Sequence, residues 1–387
     1  MIFVKRDDLK TGMRLARPIY NRNGVLLYER NSKLTSQGIV SIKNFGLIGI
    51  FVLEPAEPVP PMTREDLEFE RFQTMCVFSI QEELVTILRM GKTAKIPTIV
   101  SNIIKNYGHL NTKIKFMQNL RSTEDYFYKH SLNVAILCAI LTHAMQMTVS
   151  EQLETVTAAI VHDIGKLSAP SNILAKDVWT PEERERVKMA EVAGFGLLEH
   201  IFTDSPNIKR ICMQSQANLE NLENEKETDI QKMLLPARVL CVAETFDTMT
   251  AMQVDKEPSS EVAALKYLMD HPDYFDENIV EAFCKSIKIL FPGVSVELNN
   301  KEKALVLVEN PANILEPMIL TFRDNKLVDL YNQPKGPDRL EITDIMKTMD
   351  NRYVMDMDLL KKQGVEVEEP EYVDDRQEEE EYTSQNN

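Results

Sequence analysis

No two of the five cysteines in this 387-residue chain form a CxxC pair. Cys76, Cys138, Cys212, Cys241 and Cys284 stand apart, which argues against a disulfide frame and fits the reduced thiols of a cytoplasmic protein. No apolar leader follows Met1, because Ile-Phe-Val-Lys-Arg runs straight into Asp7-Asp8, so secretion is not expected. Long apolar runs are missing as well. The longest, Leu132 to Leu141, is broken by Asn133 and is far short of the roughly 20 residues that span a bilayer, so membrane insertion is not expected. Positive charge is not in excess either: 44 Lys+Arg face 60 Asp+Glu, a net charge of −16. From Val365 onward ten acids face one base, Arg376, so the tail holds −9 of that charge and the preceding 364 residues only −7. That surface offers no electrostatic footprint for duplex nucleic acid. There is no repeat of solenoid type.

What is present is globular: 43% hydrophobic residues and a mean hydropathy of −0.25. The length predicts two or three domains. Residues 1–55 read as a small strand-rich module, with a turn at Asn21-Arg-Asn-Gly24, a short helix from Ser36 to Phe45 and a closing strand Gly49 to Leu53. Four prolines in residues 54–63 exclude a helix interior or a central strand and mark a boundary, so 56–120 reads as a Pro-rich linker and helical connector. From Arg64 to about Leu290 apolar residues recur at three and four, and Thr180-Pro-Glu-Glu183 predicts a capping box with Pro at the first helical position. Period-two patterns at Ser295-Val-Glu-Leu, Ala304-Leu-Val-Leu-Val and Met318-Ile-Leu-Thr-Phe predict a small β module over 291–335. Residues 336–387 read as weak helix passing into a disordered acidic tail.

Six histidines are present, and only one has an acid next to it in a context that looks purposeful, with four apolar residues leading into the pair: Ala158-Ala-Ile-Val-His162-Asp163-Ile-Gly165-Lys166. Neighbours on a regular helix point about 100° apart, so an adjacent imidazole and carboxylate converge most easily where a helix ends, and Gly165 predicts such an end. Thirty-two residues earlier, Tyr126-Phe-Tyr-Lys-His130-Ser-Leu-Asn-Val-Ala puts a second imidazole on an apolar helix, where a lone histidine is ordinarily a hydrogen-bonded core residue. Downstream, Val242-Ala-Glu244-Thr-Phe-Asp247-Thr-Met-Thr sets Glu244 in an apolar helix, where an acid is costly unless paired, hydrogen-bonded or on a metal. Two imidazoles and two carboxylates suit one divalent transition metal, Fe, Mn or Zn. Asp247 reads equally as an acid orienting a ligand or as an ordinary helix hydrogen-bond partner.

These three segments, in this order, resemble the HD superfamily of metal-dependent phosphohydrolases and, more narrowly, its HD-GYP branch. Leu9-Lys-Thr-Gly-Met-Arg-Leu-Ala resembles the small module that often precedes such domains, and Phe291-Pro-Gly-Val-Ser-Val-Glu-Leu the β appendage that often follows them. The resemblance implies a mainly α protein: an all-α HD-domain core over 121–290, flanked by a small N-terminal α/β module and a small C-terminal β module. It implies a cytoplasmic bacterial signalling protein and hydrolysis of phosphate esters, for this branch of cyclic di-GMP. It further implies His130, His162 and Asp163 as metal ligands, with Asp163 and Lys166 as the catalytic positions and Lys166 facing substrate phosphate; Glu244, which stands where the family carries an aspartate, is the fourth candidate ligand.

The departures from the family pattern are equally specific. Ala190 stands where the family carries a further histidine, and Ser215, Gln216 and Ala217 stand on its His-His-Glu run. The loop that should hold Gly-Tyr-Pro becomes Asn218 to Asp229, without Gly or Pro, and the Arg-Pro-Tyr-Arg segment becomes Gln253-Val-Asp-Lys256. Three lost imidazole positions predict at most one metal. Two readings follow: a weak single-metal phosphohydrolase acting on a nucleotide or cyclic dinucleotide, and a catalytically inactive relative serving as a nucleotide-binding or protein-docking module with a signalling partner. An inward-turned Glu191 would favour the first.

Overall fold

The computed structural model describes residues 2–345, apart from 46, 48, 54–61, 119–120, 122–124, 175, 177–178, 254–257 and 335. Most of the Pro-rich linker, most of Gln253-Val-Asp-Lys256 and the acidic tail therefore lie outside the described residues. The chain divides into two units, Met1–Met75 with Leu290–Asn387, and Cys76–Ile289.

In the first unit, β1 (Ile2–Lys5), β2 (Arg14–Leu15), the hairpin strands β3 (Ile19–Tyr20) and β4 (Leu26–Tyr28), α1 (Ser36–Asn44) and β5 (Gly49–Leu53) follow in order. β1 and β2 flank β5, both antiparallel. The hairpin closes where Asn21 Oδ1 accepts from the amides of Asn23 and Val25, and Gly24 takes a φ of +74°. Thr35 caps α1 through the Gly38 amide, as a short polar side chain does at a helix start. Leu15, Leu34, Ile42 and Val52 form the core of this module.

The same unit contains a five-stranded antiparallel sheet in the order β10, β6, β7, β8, β9. Its strands are β6 (Ser295–Leu298), β7 (Lys303–Val308), β8 (Met318–Thr321), β9 (Leu327–Asp329) and β10 (Ile342–Ile345). Residues 342–345 were expected to be weak helix and are instead an edge strand on β6. Ile342 and Ile345 are buried while Thr343 is exposed, and the alternation finds its partner only once the β module has formed.

The second unit is helical. α2 (Arg64–Met90) runs on into it, followed by α3 (Ile96–Tyr107), α4 (Tyr126–Ala144), α5 (Val149–Val161), the single turn α6 (Ser171–Leu174), α7 (Pro181–Ile201), α8 (Asn207–Glu223), α9 (Leu235–Thr250), α10 (Glu261–Asp270) and α11 (Glu277–Ser286). α4 is the axis of the bundle. His130 to Thr142 are buried without interruption, and α3, α5, α9 and α11 pack around it, as a helix apolar on all sides requires. Capping boxes start α5 (Thr148 with Glu151) and α7 (Thr180 with Glu183, Pro181 next). The core is thus mainly α, with small sheets elsewhere.

Candidate metal centre

α5 ends at Val161, and the chain leaves it through tight turns: the Ile164 amide donates to Val161 and the Lys166 amide to Asp163. The tighter winding swings adjacent side chains, His162 and Asp163, into one site. Gly165 was expected to break the helix but keeps a right-handed φ of −62°. Its lack of a side chain serves contact instead, since a Cβ there would lie 2.6 Å from the Ala190 carbonyl oxygen and the Glu191 Cα of α7.

α4 brings His130 to the same point, with its Nε2 3.2 Å from that of His162. Both Nδ1 atoms are engaged. His130 Nδ1 lies 2.6 Å from Asp247 Oδ2 and His162 Nδ1 2.8 Å from the Ala159 carbonyl, so each Nδ1 carries the hydrogen and donates it. The two Nε2 lone pairs therefore face each other. Asp163 Oδ2 stands 3.8 Å and 3.6 Å from them, and these three donors form a metal-compatible cluster among the described residues. Donors bonded tetrahedrally to one ion at about 2.0–2.1 Å stand roughly 3.3 Å apart, so the residues fit a metal. Apposed lone pairs would repel unless a metal ion or a proton lay between them.

Glu244 on α9 stands at the margin. Its Oε1 is 4.0 Å from His162 Nε2, and its Oε2 accepts from Ser215 Oγ of α8 at 3.3 Å. Lys166 Nζ binds Asp163 Oδ1 at 2.7 Å, which leaves Oδ2 for the cluster. Burial works against the Asp163 charge, but Lys166 and the two imidazoles outweigh it and hold this carboxyl well below the usual range. Burial likewise works against the Lys166 charge, and Asp163, Glu244 and Glu191 outweigh it, so the ammonium persists.

Glu191 turns inward. Its Oε1 lies 3.9 Å from Lys166 Nζ, its Oε2 accepts from Gln216 Nε2 at 2.7 Å, and burial raises its proton affinity. Ala190, at the lost histidine position, packs with Ala169, Ile173 and Val187. Ser215 and Gln216 occupy α8 and hold the two glutamates. α8 continues to Glu223, so the expected loop from Asn218 begins six residues later, at Asn224.

Sequence reasoning left Asp247 evenly between orienting a ligand and an ordinary helix hydrogen bond, and missed the side chains behind it. Asp247 is fully buried, and its Oδ1 accepts from Arg121 Nη2 (2.6 Å), Gln118 Nε2 (3.0 Å) and Asn133 Nδ2 (3.1 Å). Asn133, the polar break in the most apolar run, was the one available signal. Arg121 and Gln118 precede α4 in a segment without periodicity. His143 meets Asn111 at 3.0 Å and His200 is exposed, and neither enters the site.

Residues 114–279 match the family model described as HD domain. A cyclic di-GMP phosphodiesterase of Pseudomonas aeruginosa is 23% identical over 278 residues, covering 70% of this chain and 67% of that protein. One from Borreliella burgdorferi is 23% identical over 227 residues, covering 57% and 59%. A third, from Thermotoga maritima, is 26% identical over 163 residues, covering 41% and 44%. The chain thus spans less than two thirds of the length of two of these relatives. No helix among the described residues is long and apolar enough to cross a membrane. The match begins ahead of Gln118 and runs beyond Asp247, so every side chain of this centre lies within the stretch that is similar to the HD domain family.

Proposed function

We propose that residues 114–279 are an HD domain and a single-metal phosphodiesterase acting slowly on a cyclic dinucleotide, cyclic di-GMP being the substrate suggested by the names of the three relatives. The observation that carries the reading is the apposition of His130 Nε2 and His162 Nε2 at 3.2 Å, with both Nδ1 hydrogens engaged elsewhere and Asp163 Oδ2 alongside. His130, His162 and Asp163 would hold the ion, with Glu244 within reach. A divalent ion there supplies Lewis-acid polarisation of a phosphoryl oxygen and acidifies water. Lys166, a quarter exposed, offers its ammonium to a second phosphate oxygen. Glu191 Oε1, beside that ammonium and raised in proton affinity by burial, is placed to take a proton.

One observation favours a second reading. Ser215 and Gln216 tie Glu244 and Glu191 into hydrogen bonds within the protein, where a second ion would need those carboxylates. Without a second ion to stabilise the attacking or leaving oxygen, several kcal/mol of transition-state stabilisation are lost, about 10²-fold or more in rate. A nucleotide-binding or protein-docking module would retain the scaffold and lack turnover. Single-turnover hydrolysis of cyclic di-GMP with Mn or Fe supplied, comparing wild type with Asp163→Ala and measuring nucleotide binding alongside, separates the two. Slow, Asp163-dependent turnover supports the enzyme. Nucleotide binding without turnover selects the module.

A further inference from the structure

We infer that Arg121 is a positioning residue of the metal centre: its buried guanidinium fixes Asp247, which in turn fixes the face His130 presents to the ion. The inference rests on the proposed metal site and extends it to a residue outside the recognisable motifs.

Arg121 is fully buried and pairs with Asp247 at 2.6 Å, a carboxylate equally buried. Its backbone is pinned beside the end of α9, where its amide donates to the Met252 carbonyl at 2.8 Å. Nη2 also donates to Gln118 Oε1 at 2.8 Å, and that oxygen accepts from Asn133 Nδ2 at 2.9 Å. The Tyr126 ring lies 5.3 Å from the guanidinium carbon and stacks on His130. Nε and Nη1 have no hydrogen-bond partner among the described residues, so the cation depends on Asp247 for its compensation. Three donors occupy Asp247 Oδ1, which leaves Oδ2 to His130 Nδ1. A hydrogen held at Nδ1 fixes the tautomer and leaves the Nε2 lone pair for a metal, as partners behind metal-binding histidines do. Among the described residues, no other lysine or arginine is hydrogen-bonded to this carboxylate.

The test uses the full chain and three variants: Arg121→Met, Asp247→Asn and the double variant. Zn2+ affinity is measured by competition with a chromophoric chelator, and the His130 tautomer by 15N NMR on the metal-free protein. Arg121→Met should weaken Zn2+ binding about 10–100-fold and mix the His130 tautomers. Asp247→Asn should weaken it to a similar degree. Because Arg121 acts through Asp247, the double variant should bind no worse than Asp247→Asn alone, and it should fold even where a single variant, left with one unpaired buried charge, does not. The inference is overturned by Zn2+ affinity within about twofold of wild type in Arg121→Met with the tautomer unchanged, by losses that multiply in the double variant, or by a double variant that stays unfolded. Wild type that binds no Zn2+ refutes the metal site instead, and the tautomer measurement then still decides the role of Arg121.

Discussion

Gly165 and Gly194 meet backbone to backbone. A Cβ on Gly194 would lie 2.6 Å from Gly165 Cα, with no flexible side-chain end able to yield. This contact seats α7 against the turn that carries His162, Asp163 and Lys166, and it brings Glu191 to Lys166.

Gly194→Ala should therefore cost about 1–3 kcal/mol by overpacking and weaken metal binding. Gly196, two residues on in the same helix, has open space where its Cβ would be. There, Gly→Ala should stabilise by about 0.5–1 kcal/mol through helix propensity and loss of unfolded-chain entropy. Thermal melting of the two variants is the measurement. Equal effects would show that the close approach of Gly194 does not matter.

Elemental analysis of the purified protein should find no more than about one Fe, Mn or Zn per chain. An ion at 100 times its Kd should raise stability by about 2.7 kcal/mol, and the His162→Ala, Asp163→Ala double variant should show no such rise. Two tightly bound ions per chain would refute the single-metal site.

Acid should destabilise the metal-free domain in part through Asp247. Burial pushes this carboxyl up, but the Arg121 charge and the His130 hydrogen bond outweigh it and hold it well below an unfolded value of about 3.9. A depressed carboxyl stabilises above the unfolded pKa, and the contribution fades as pH falls through about 4 toward the folded value. Asp247→Asn should accordingly lower stability at pH 7 and flatten its decline below pH 5, as urea midpoints across pH would record. An unchanged acid limb would mean that this carboxyl titrates alike in both states.

The thiols around the centre should be inert in the native protein. Burial pushes Cys76 and Cys241 up to about 12 and raises buried Cys138 and Cys212 as well. Cys284, at about 11, is partly exposed. Native labelling with iodoacetamide at pH 8, read by mass spectrometry, should modify Cys284 first and spare Cys138, Cys212 and Cys241 until the protein unfolds. Early modification of Cys241 would show that the core opens near Glu244.

Local chemistry made much of the chain legible. Thr180 and Glu183 specify a helix start wherever they occur, Asn21 closes its turn with its own side chain, and an uninterrupted apolar helix such as α4 has nowhere to lie but the centre of a bundle. His162 and Asp163, adjacent in sequence, needed only a tightened helix end to converge. Tertiary packing decided the rest. Residues 342–345 have too few neighbours of their own to choose a state, so β6 makes them a strand. Glu191 lies on a largely exposed helix, and its direction follows from where Gly165 lets α7 approach. Arg121 is 126 residues from Asp247 in sequence. An arginine in an aperiodic segment reads as surface, and the buried carboxylate that makes this one interior exists only when α4 and α9 have packed.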